Sequence, residues 1–230
     1  MNNIGSLFGL VLTQLRREGT PFIREGGPAG TMDQRYLVGC YGRPEGRGFQ
    51  ANLGQLYNLP TFGLAGGSDA KGSDAQAVAE ISLSLAFEAL SGNSLIHGIG
   101  ALEGGKAAAL ELLVIGNEII GWLQHAVQGM AISPETLALD VVEAVGHDNL
   151  YLSTEHSARH CRDDWQPTIF DYQGYDAWQA AGAKDLLARA RDRVNNIVRG
   201  AAGARALPQR VVAKMNSIVS EADRQAGRRN

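Results

Sequence analysis

The sequence predicts an α/β fold: about half of a TIM-type (β/α)8 barrel with parallel strands, followed by a C-terminal helical extension. Three observations predict it. Short β-like apolar runs alternate with longer helical ones, the pattern of a parallel sheet under a layer of helices. Many of the 29 glycines cluster directly after the short runs, where a chain leaving a strand must turn tightly. Four βα units can be counted, half of what a closed eight-stranded cylinder needs. An open doubly wound sheet would also alternate, but the chain has neither its G-x-G-x-x-G fingerprint after the first strand nor a G-x-x-x-x-G-K-[ST] phosphate loop.

Residues 1–15 carry Leu7, Phe8, Leu10, Val11, Leu12 and Leu15 and predict a helix ending near Gly19. This stretch lacks the positive n-region and small-residue cleavage site of a secretory leader, and is shorter than the roughly 20 apolar residues of a bilayer span. Thr20-Pro21-Phe22-Ile23 predicts the first strand, followed by a long loop over 26–42 and a helix over 44–57. Leu59-Pro60-Thr61-Phe62-Gly63 predicts the second strand, and after its loop Ser73 and Gln76 have the spacing of a capping box. That helix runs to Ser91 and stops at Gly92, a residue suited to left-handed backbone.

Asn93-Ser94-Leu95-Ile96-His97 predicts the third strand, 98–105 its loop, and 106–128 a largely apolar helix. Ser133-Pro134 places a capping serine before proline at the first helical position, for a helix ending near Val145. Leu150-Tyr151-Leu152 is expected as a short fourth strand, and Thr154-Glu155 as the start of a helix through His160 and Trp165. From Tyr175 the pattern is purely helical. Leu187, Ala190, Val194 and Ile197 share one face, 200–203 interrupt it, and Val211, Met215, Ile218 and Ala222 line a last helix after Pro208. Residues 1–172 are assigned to the half barrel and 173–230 to the helical extension.

With 21 basic against 24 acidic residues there is no field to draw a nucleic-acid backbone, and the mixed charges of the last helix do not suit a lipid surface. Neither nucleic acid nor a membrane is expected as a partner. The two cysteines, Cys40 and Cys161, are far apart and fit reduced thiols in a cytoplasm, the expected compartment.

Several phrases in succession resemble one known family. They are Leu10-Val11-Leu12-Thr13-Gln14-Leu15 with Gly19-Thr20-Pro21; Thr31-Met32-Asp33-Gln34-Arg35; Tyr41-Gly42-Arg43-Pro44-Glu45; and Leu59-Pro60-Thr61-Phe62-Gly63. They continue with Ser68-Asp69-Ala70-Lys71, Asp74-Ala75-Gln76 and Glu80; the run from Leu95-Ile96-His97 through Glu103-Gly104-Gly105; and Glu135-Thr136-Leu137-Ala138-Leu139-Asp140. In this order they are similar to the trimethylamine methyltransferase family, (β/α)8 barrels that pass a methyl group from an amine to the cobalt of a corrinoid protein.

The resemblance implies that the chain corresponds to the C-terminal half of such a barrel, with the first four strands absent. It implies a tertiary or quaternary amine such as a betaine as substrate, a cobalamin-type corrinoid carried by a partner protein as acceptor, and no bound metal. The family's V-G-P-G-G turn is replaced by Val145-Gly146-His147-Asp148-Asn149. Pyrrolysine is absent and Lys71-Gly72-Ser73 occupies its region, so the branch without pyrrolysine is the closer analogy.

Transfer of a methyl group from a quaternary ammonium needs in-line geometry, a dry pocket and stabilisation of a cation. Aromatic faces and carboxylates at strand ends serve that purpose, each aromatic contributing about 0.5–2 kcal/mol. The residues placed there are Asp33, Tyr36 and Tyr41 in the first loop, Phe62, Asp69 and Lys71 around the second, and His97 and Glu103 around the third. Glu103, His97 and Asp69 are the candidate catalytic set, with Asp33, Tyr41, Phe62 and Lys71 for substrate.

Each has a plainer reading. Glu103 could be a loop carboxylate accepting backbone N–H bonds, His97 a structural histidine, and Asp33 the ion-pair partner of Arg35. Asp74 reads as an acid favoured in a first helical turn. His156 and His160 are four apart beside Cys161, a spacing that suits zinc on one helix face, but no third ligand of suitable spacing is evident. An enzyme fragment, a non-catalytic remnant and a binding module for cationic amines or a corrinoid protein all remain open. A half barrel leaves sheet edges and an apolar interior uncovered, so association is expected, with the missing N-terminal half or as a homodimer.

Overall fold

The computed structural model describes residues 2–26, 32–43, 47–147, 149–201 and 207–227. Two compact units divide at Arg193 and Val194. The first opens with α1 (Asn2–Arg16), β1 (Arg24–Gly26), a hairpin of β2 (Met32–Asp33) and β3 (Val38–Gly39), α2 (Arg47–Leu56) and β4 (Thr61–Leu64). It continues through α3 (Ala75–Ser91), β5 (Leu95–His97), a second hairpin of β6 (Ala101–Leu102) and β7 (Ala107–Ala108), and α4 (Leu110–Val127). Short helices follow: α5 (Pro134–Leu137), α6 (Leu139–Val145), α7 (Glu155–His160), α8 (Tyr175–Ala180) and the start of α9 (Leu186–Ala201). The second unit holds the end of α9 and α10 (Gln209–Gly227), whose Val211, Met215 and Ile218 are exposed.

The main sheet has three parallel strands in the order β1-β4-β5. Phe62 pairs with Leu95 and Leu64 with His97, so these four side chains share one face, while Arg24, Thr61, Gly63 and Ile96 share the other. The second face meets the helices: a Cβ on Gly63 would come within 2.8 Å of Glu88 on α3. Helix α3 forms because Asp74 caps it, accepting from Ala77 N at 3.0 Å, and because Ala77, Ile81, Leu85 and Glu88 recur on one buried stripe. Gly92 ends it with φ 82°, where other residues are strained. Ile81 and Leu85 pack with Leu112, Ile115 and Ile119 of α4, and Ile96 and Ile99 close the core from the sheet side. Each such aliphatic side chain contributes about 1.5–3 kcal/mol on burial.

The fold is thus mixed α/β with short parallel strands and no closed barrel among the described residues. Several expectations need correction. The first strand lies at Arg24–Gly26 rather than at Thr20–Ile23, because the buried residue of this stretch is a charged one: Arg24 is 1% exposed and Ile23 about half exposed. The expected fourth strand at Leu150-Tyr151-Leu152 is instead a 3-10 turn, Tyr151–Ser153. Hydroxyls cause this: Ser153 Oγ donates to Leu150 O at 2.7 Å, and Thr154 Oγ1 and Ser157 Oγ donate to Tyr151 O at 2.8 and 2.7 Å. Carbonyls taken up locally are not available to a sheet.

Asp74, not Ser73, caps α3, and Gln76 donates to Glu80 Oε1 instead of closing a capping box. The helix expected from Lys106 begins at Leu110, since Ala107 and Ala108 return along the β6–β7 ladder. Ser133 does cap α5, with Pro134 in the first turn, but left-handed Ala138 (φ 46°) separates α5 from α6. Thr154 caps α7, which ends at His160, short of Trp165. Pro44 and Glu45 lie outside the described residues.

Candidate functional site

The loops that follow β1, β4 and β5 are tied to one another by their backbones. Gly100 N donates to Gly66 O at 2.8 Å, Ser68 N to Ala101 O at 2.9 Å and Glu103 N to Ala70 O at 3.1 Å. The first loop joins them through Asp69, whose carboxylate accepts from Tyr41 N at 2.8 Å on both oxygens and from Gly42 N at 2.9 Å. Glu80, one helical turn and a half into α3, supports this clasp by accepting from Ser68 Oγ at 2.6 Å and Asp69 N at 2.7 Å. A Cβ on Gly42 would collide with the Glu80 carboxylate, so a larger residue there would have to displace Glu80 from the clasp.

The Tyr41 ring then lies over the glycines of the other two loops. A Cβ on Gly67 would fall 2.5 Å from Tyr41 Cε1, and one on Gly105 3.5 Å from the ring. These glycines let an aromatic face approach bare backbone. The result is a cavity of about 680 Å³ at the strand ends, whose walls include Asp33, Tyr41, Asp69, Lys71, Glu80 and Glu103. Its size falls within the roughly 300–1,000 Å³ of small-molecule sites.

The wall carries four carboxylates (Asp33, Asp69, Glu80, Glu103) against three cations (Arg43, Lys71, Lys106), a net excess of one negative charge. The Arg35 side chain and backbone N–H beside Asp33 hold its carboxyl down at about 2, and the same contact pushes the Arg35 guanidinium up. Lys71 Nζ donates to Asp69 O at 2.7 Å, and Glu103 pairs with Lys106 at 3.4 Å. Glu103 has left-handed backbone (φ 50°), followed by Gly104 and Gly105 at φ 63° and 88°. A non-glycine residue there stores on the order of 1 kcal/mol, a strain found most often at functional positions.

The structure therefore gathers Asp33, Tyr41, Asp69, Lys71 and Glu103, with Tyr36 at the rim, from three separate loops. It does not bring Phe62 and His97 to that wall. They stack on each other, ring centroids 4.2 Å apart, on the sheet face turned away from the helices. Glu80, Gln76, Arg43 and Lys106 were not among the candidates; the four-residue spacing of Gln76 and Glu80 at the start of α3 is the signal that could have found the first two. Outside the cavity, His156, His160 and Glu135 form a group of ligating side chains, while Cys161 Sγ bonds back to Ala158 O.

The sequence profile of the family described as Trimethylamine methyltransferase (MTTB) matches residues 2–226. The chain belongs to the trimethylamine methyltransferase family. It is 34% identical to the trimethylamine methyltransferase MttB of Desulfitobacterium hafniense over 98% of its own length and 46% of the relative's. It is 33% identical to the trimethylamine methyltransferase MttB2 of Methanosarcina mazei, covering 97% of the chain and 45% of the relative. It is 30% identical to a glycine betaine methyltransferase of Desulfitobacterium hafniense, covering 99% and 48%. This member of the trimethylamine methyltransferase family thus spans about half the length of the curated relatives it matches. Among its described residues no helix is long and apolar enough to cross a membrane.

Proposed function

We propose that this chain supplies one arc of a (β/α)8 cylinder whose loop mouth holds a tertiary or quaternary amine, such as a betaine, while its methyl group passes to a corrinoid carried by a partner protein. The observation that carries the reading is the convergence of three strand-end loops on one cavity, with the strained Glu103 on its wall. When bound at the mouth, a corrinoid would supply the electron pair that accepts the methyl group, and the C–N pair would stay with nitrogen. A quaternary ammonium, or a tertiary amine already protonated, would then leave as a neutral amine, so no further proton donor is needed for it.

What remains for the protein is positioning and electrostatics. Glu103 and Asp33 face the cation with negative charge, and the Tyr41 ring offers its π face, worth about 0.5–2 kcal/mol. Lys71 suits the carboxylate of a betaine. Asp69 acts through Tyr41: by fixing the amides of Tyr41 and Gly42 it sets the ring against the glycine loops. Phe62 and His97 line the inward face of the cylinder in this reading. Residues 1–172 form the arc and 173–230 an extension, the compartment is cytoplasmic, and the uncovered sheet face is closed by the other half of the barrel or by a second copy.

To test it, the chain is mixed with cob(I)alamin and a panel of methylamines and betaines, with and without a co-expressed polypeptide carrying the other barrel half. The methylcobalamin spectrum is the expected product; its absence in both arrangements defeats the enzyme reading. One observation favours a second reading, a binding module for cationic amines: each wall carboxylate already has a partner within the chain. Heat of binding with glycine betaine but no methyl transfer in either arrangement would select that reading.

A further inference from the structure

A second cluster of chemically capable side chains lies outside the loop mouth, between α5 and α7. His156 and His160 stand four residues apart on α7 and so share a face, their ring centroids 4.4 Å apart. Glu135, in the first turn of α5, meets both. His156 Nε2 is 2.9 Å from Glu135 O, and His160 Nε2 is 3.2 Å from Glu135 Oε1. One ligand atom from each of the three residues lies within 4.8 Å of the others.

A zinc-class ion with bonds of about 2.0–2.2 Å holds tetrahedral ligands roughly 3.3 Å apart. Closing the remaining gap takes a small rotation of partly exposed side chains.

Two further observations point the same way. His160 Nδ1 is 2.5 Å from Asp163 Oδ2, a contact that favours the proton on Nδ1, so that the neutral imidazole would turn its Nε2 lone pair toward Glu135. A carboxylate behind the far nitrogen is the usual support of a metal-binding histidine. In addition, none of the described residues between 120 and 168 is buried. Helices α5, α6 and α7 therefore have no core of their own and depend on surface contacts, the circumstance in which a metal ion is an effective staple.

We propose that Glu135, His156 and His160 form a site for a divalent metal ion of the zinc class, with Asp163 orienting His160 and water completing the coordination. Two histidines and one glutamate make an established three-ligand set for zinc, one position remaining open. Arg159 Nη1, 2.9 Å from Glu135 Oε1, stays as an outer partner of the ligating carboxylate. The ion would lock α5 to α7, and the site stands apart from the residues that line the cavity.

The test uses the full chain freed of metal by chelation. Zinc chloride is titrated by calorimetry, cobalt(II) by visible absorption, and hydrogen exchange of α5 and α7 is followed with and without zinc. Expected are one ion per chain, a cobalt spectrum of nitrogen and oxygen ligands without a thiolate charge-transfer band, and slowed exchange in both helices. H156A/H160A should abolish uptake, D163N should weaken it about 10–100-fold, and C161S should leave it unchanged. Circular dichroism establishes that the variants, all at exposed or half-buried positions, remain folded. No uptake by the wild type, uptake undiminished in H156A/H160A, or a thiolate band lost in C161S would each overturn the proposal.

Discussion

Asp69 offers the sharpest perturbation, because a catalytic carboxylate and a clasp fail differently. Its two oxygens take the amides of Tyr41 and Gly42 at 2.8–2.9 Å, so Asp69→Asn keeps the shape but turns an NH2 group toward N–H donors. A hydrogen bond to a charged acceptor is worth about 1.5–3 kcal/mol. Two donors, one of them shared between both oxygens at a half-buried position, place the loss at the low end, about 3 kcal/mol. With a urea dependence of about 2–3 kcal/mol per molar, the unfolding midpoint should fall by about 1–1.5 M. Hydrogen exchange is the decisive companion assay, since the first loop can open without global unfolding. The amides of Tyr41 and Gly42 should exchange faster in the variant. A midpoint and amide protection equal to wild type would refute the clasp.

Other perturbations follow from single contacts. Glu118, 4% exposed, accepts from Thr168 N at 2.6 Å, Ile169 N at 2.8 Å and Phe170 N at 3.2 Å; burial pushes its carboxyl up, but these bonds and the Thr168 hydroxyl outweigh it and hold the group below its ordinary 4.5. The stability this contributes is present above the ordinary value and lost as pH falls through the lower folded one. Glu118→Gln should therefore cost about 2–4 kcal/mol at neutral pH and flatten the acid limb of a melting profile; equal acid slopes would contradict it. Glu103→Gly removes left-handed strain and should leave stability within about 1 kcal/mol of wild type or raise it, while amine binding by calorimetry weakens. Gly67→Ala drives a methyl group into Tyr41 and should cost about 1–3 kcal/mol in denaturant unfolding, with part of that loss restored in the double variant that also carries Tyr41→Ala.

The helix ends were legible because their determinants are local: Ser133 with Pro134, Thr154 and Gly92 act within a turn of themselves. Strand positions were less so. An apolar run is a fair sign of a strand only when apolar residues are the ones buried, and at β1 the buried residue is Arg24, beside exposed Ile23. The expected strand at Leu150 failed because hydroxyls three to six residues away captured its carbonyls, which β propensity does not count. For the candidate site, standing at a strand end was enough to place Asp33, Tyr41, Asp69, Lys71 and Glu103 around one cavity. It was not enough for Phe62 and His97, whose direction depends on which face of the sheet their register selects. Glu80 belongs to a helix and Glu135 lies 21 residues before His156, so neither could be joined to its neighbours before the chain was folded.

That same register carries the argument for association. Parallel sheets are stable in water when both faces are covered. Here α2 and α3 cover Thr61 and Gly63, and Ile96 packs on the core of α3 and α4, while on the other face Leu64 is buried, Leu95 about half exposed and His97 exposed. Strands β1 and β5 are also the two edges of the three-stranded sheet, where further strands could pair. In the proposed cylinder, further strands would cover this face and bury Phe62, Leu95 and His97 together. Light scattering of the purified chain should therefore report a species larger than one chain, and Leu95→Lys should shift it toward the monomer without unfolding α3 or α4. A monodisperse, cooperatively folded monomer would mean that three strands with a single covered face suffice, and the cylinder would lose its physical motive.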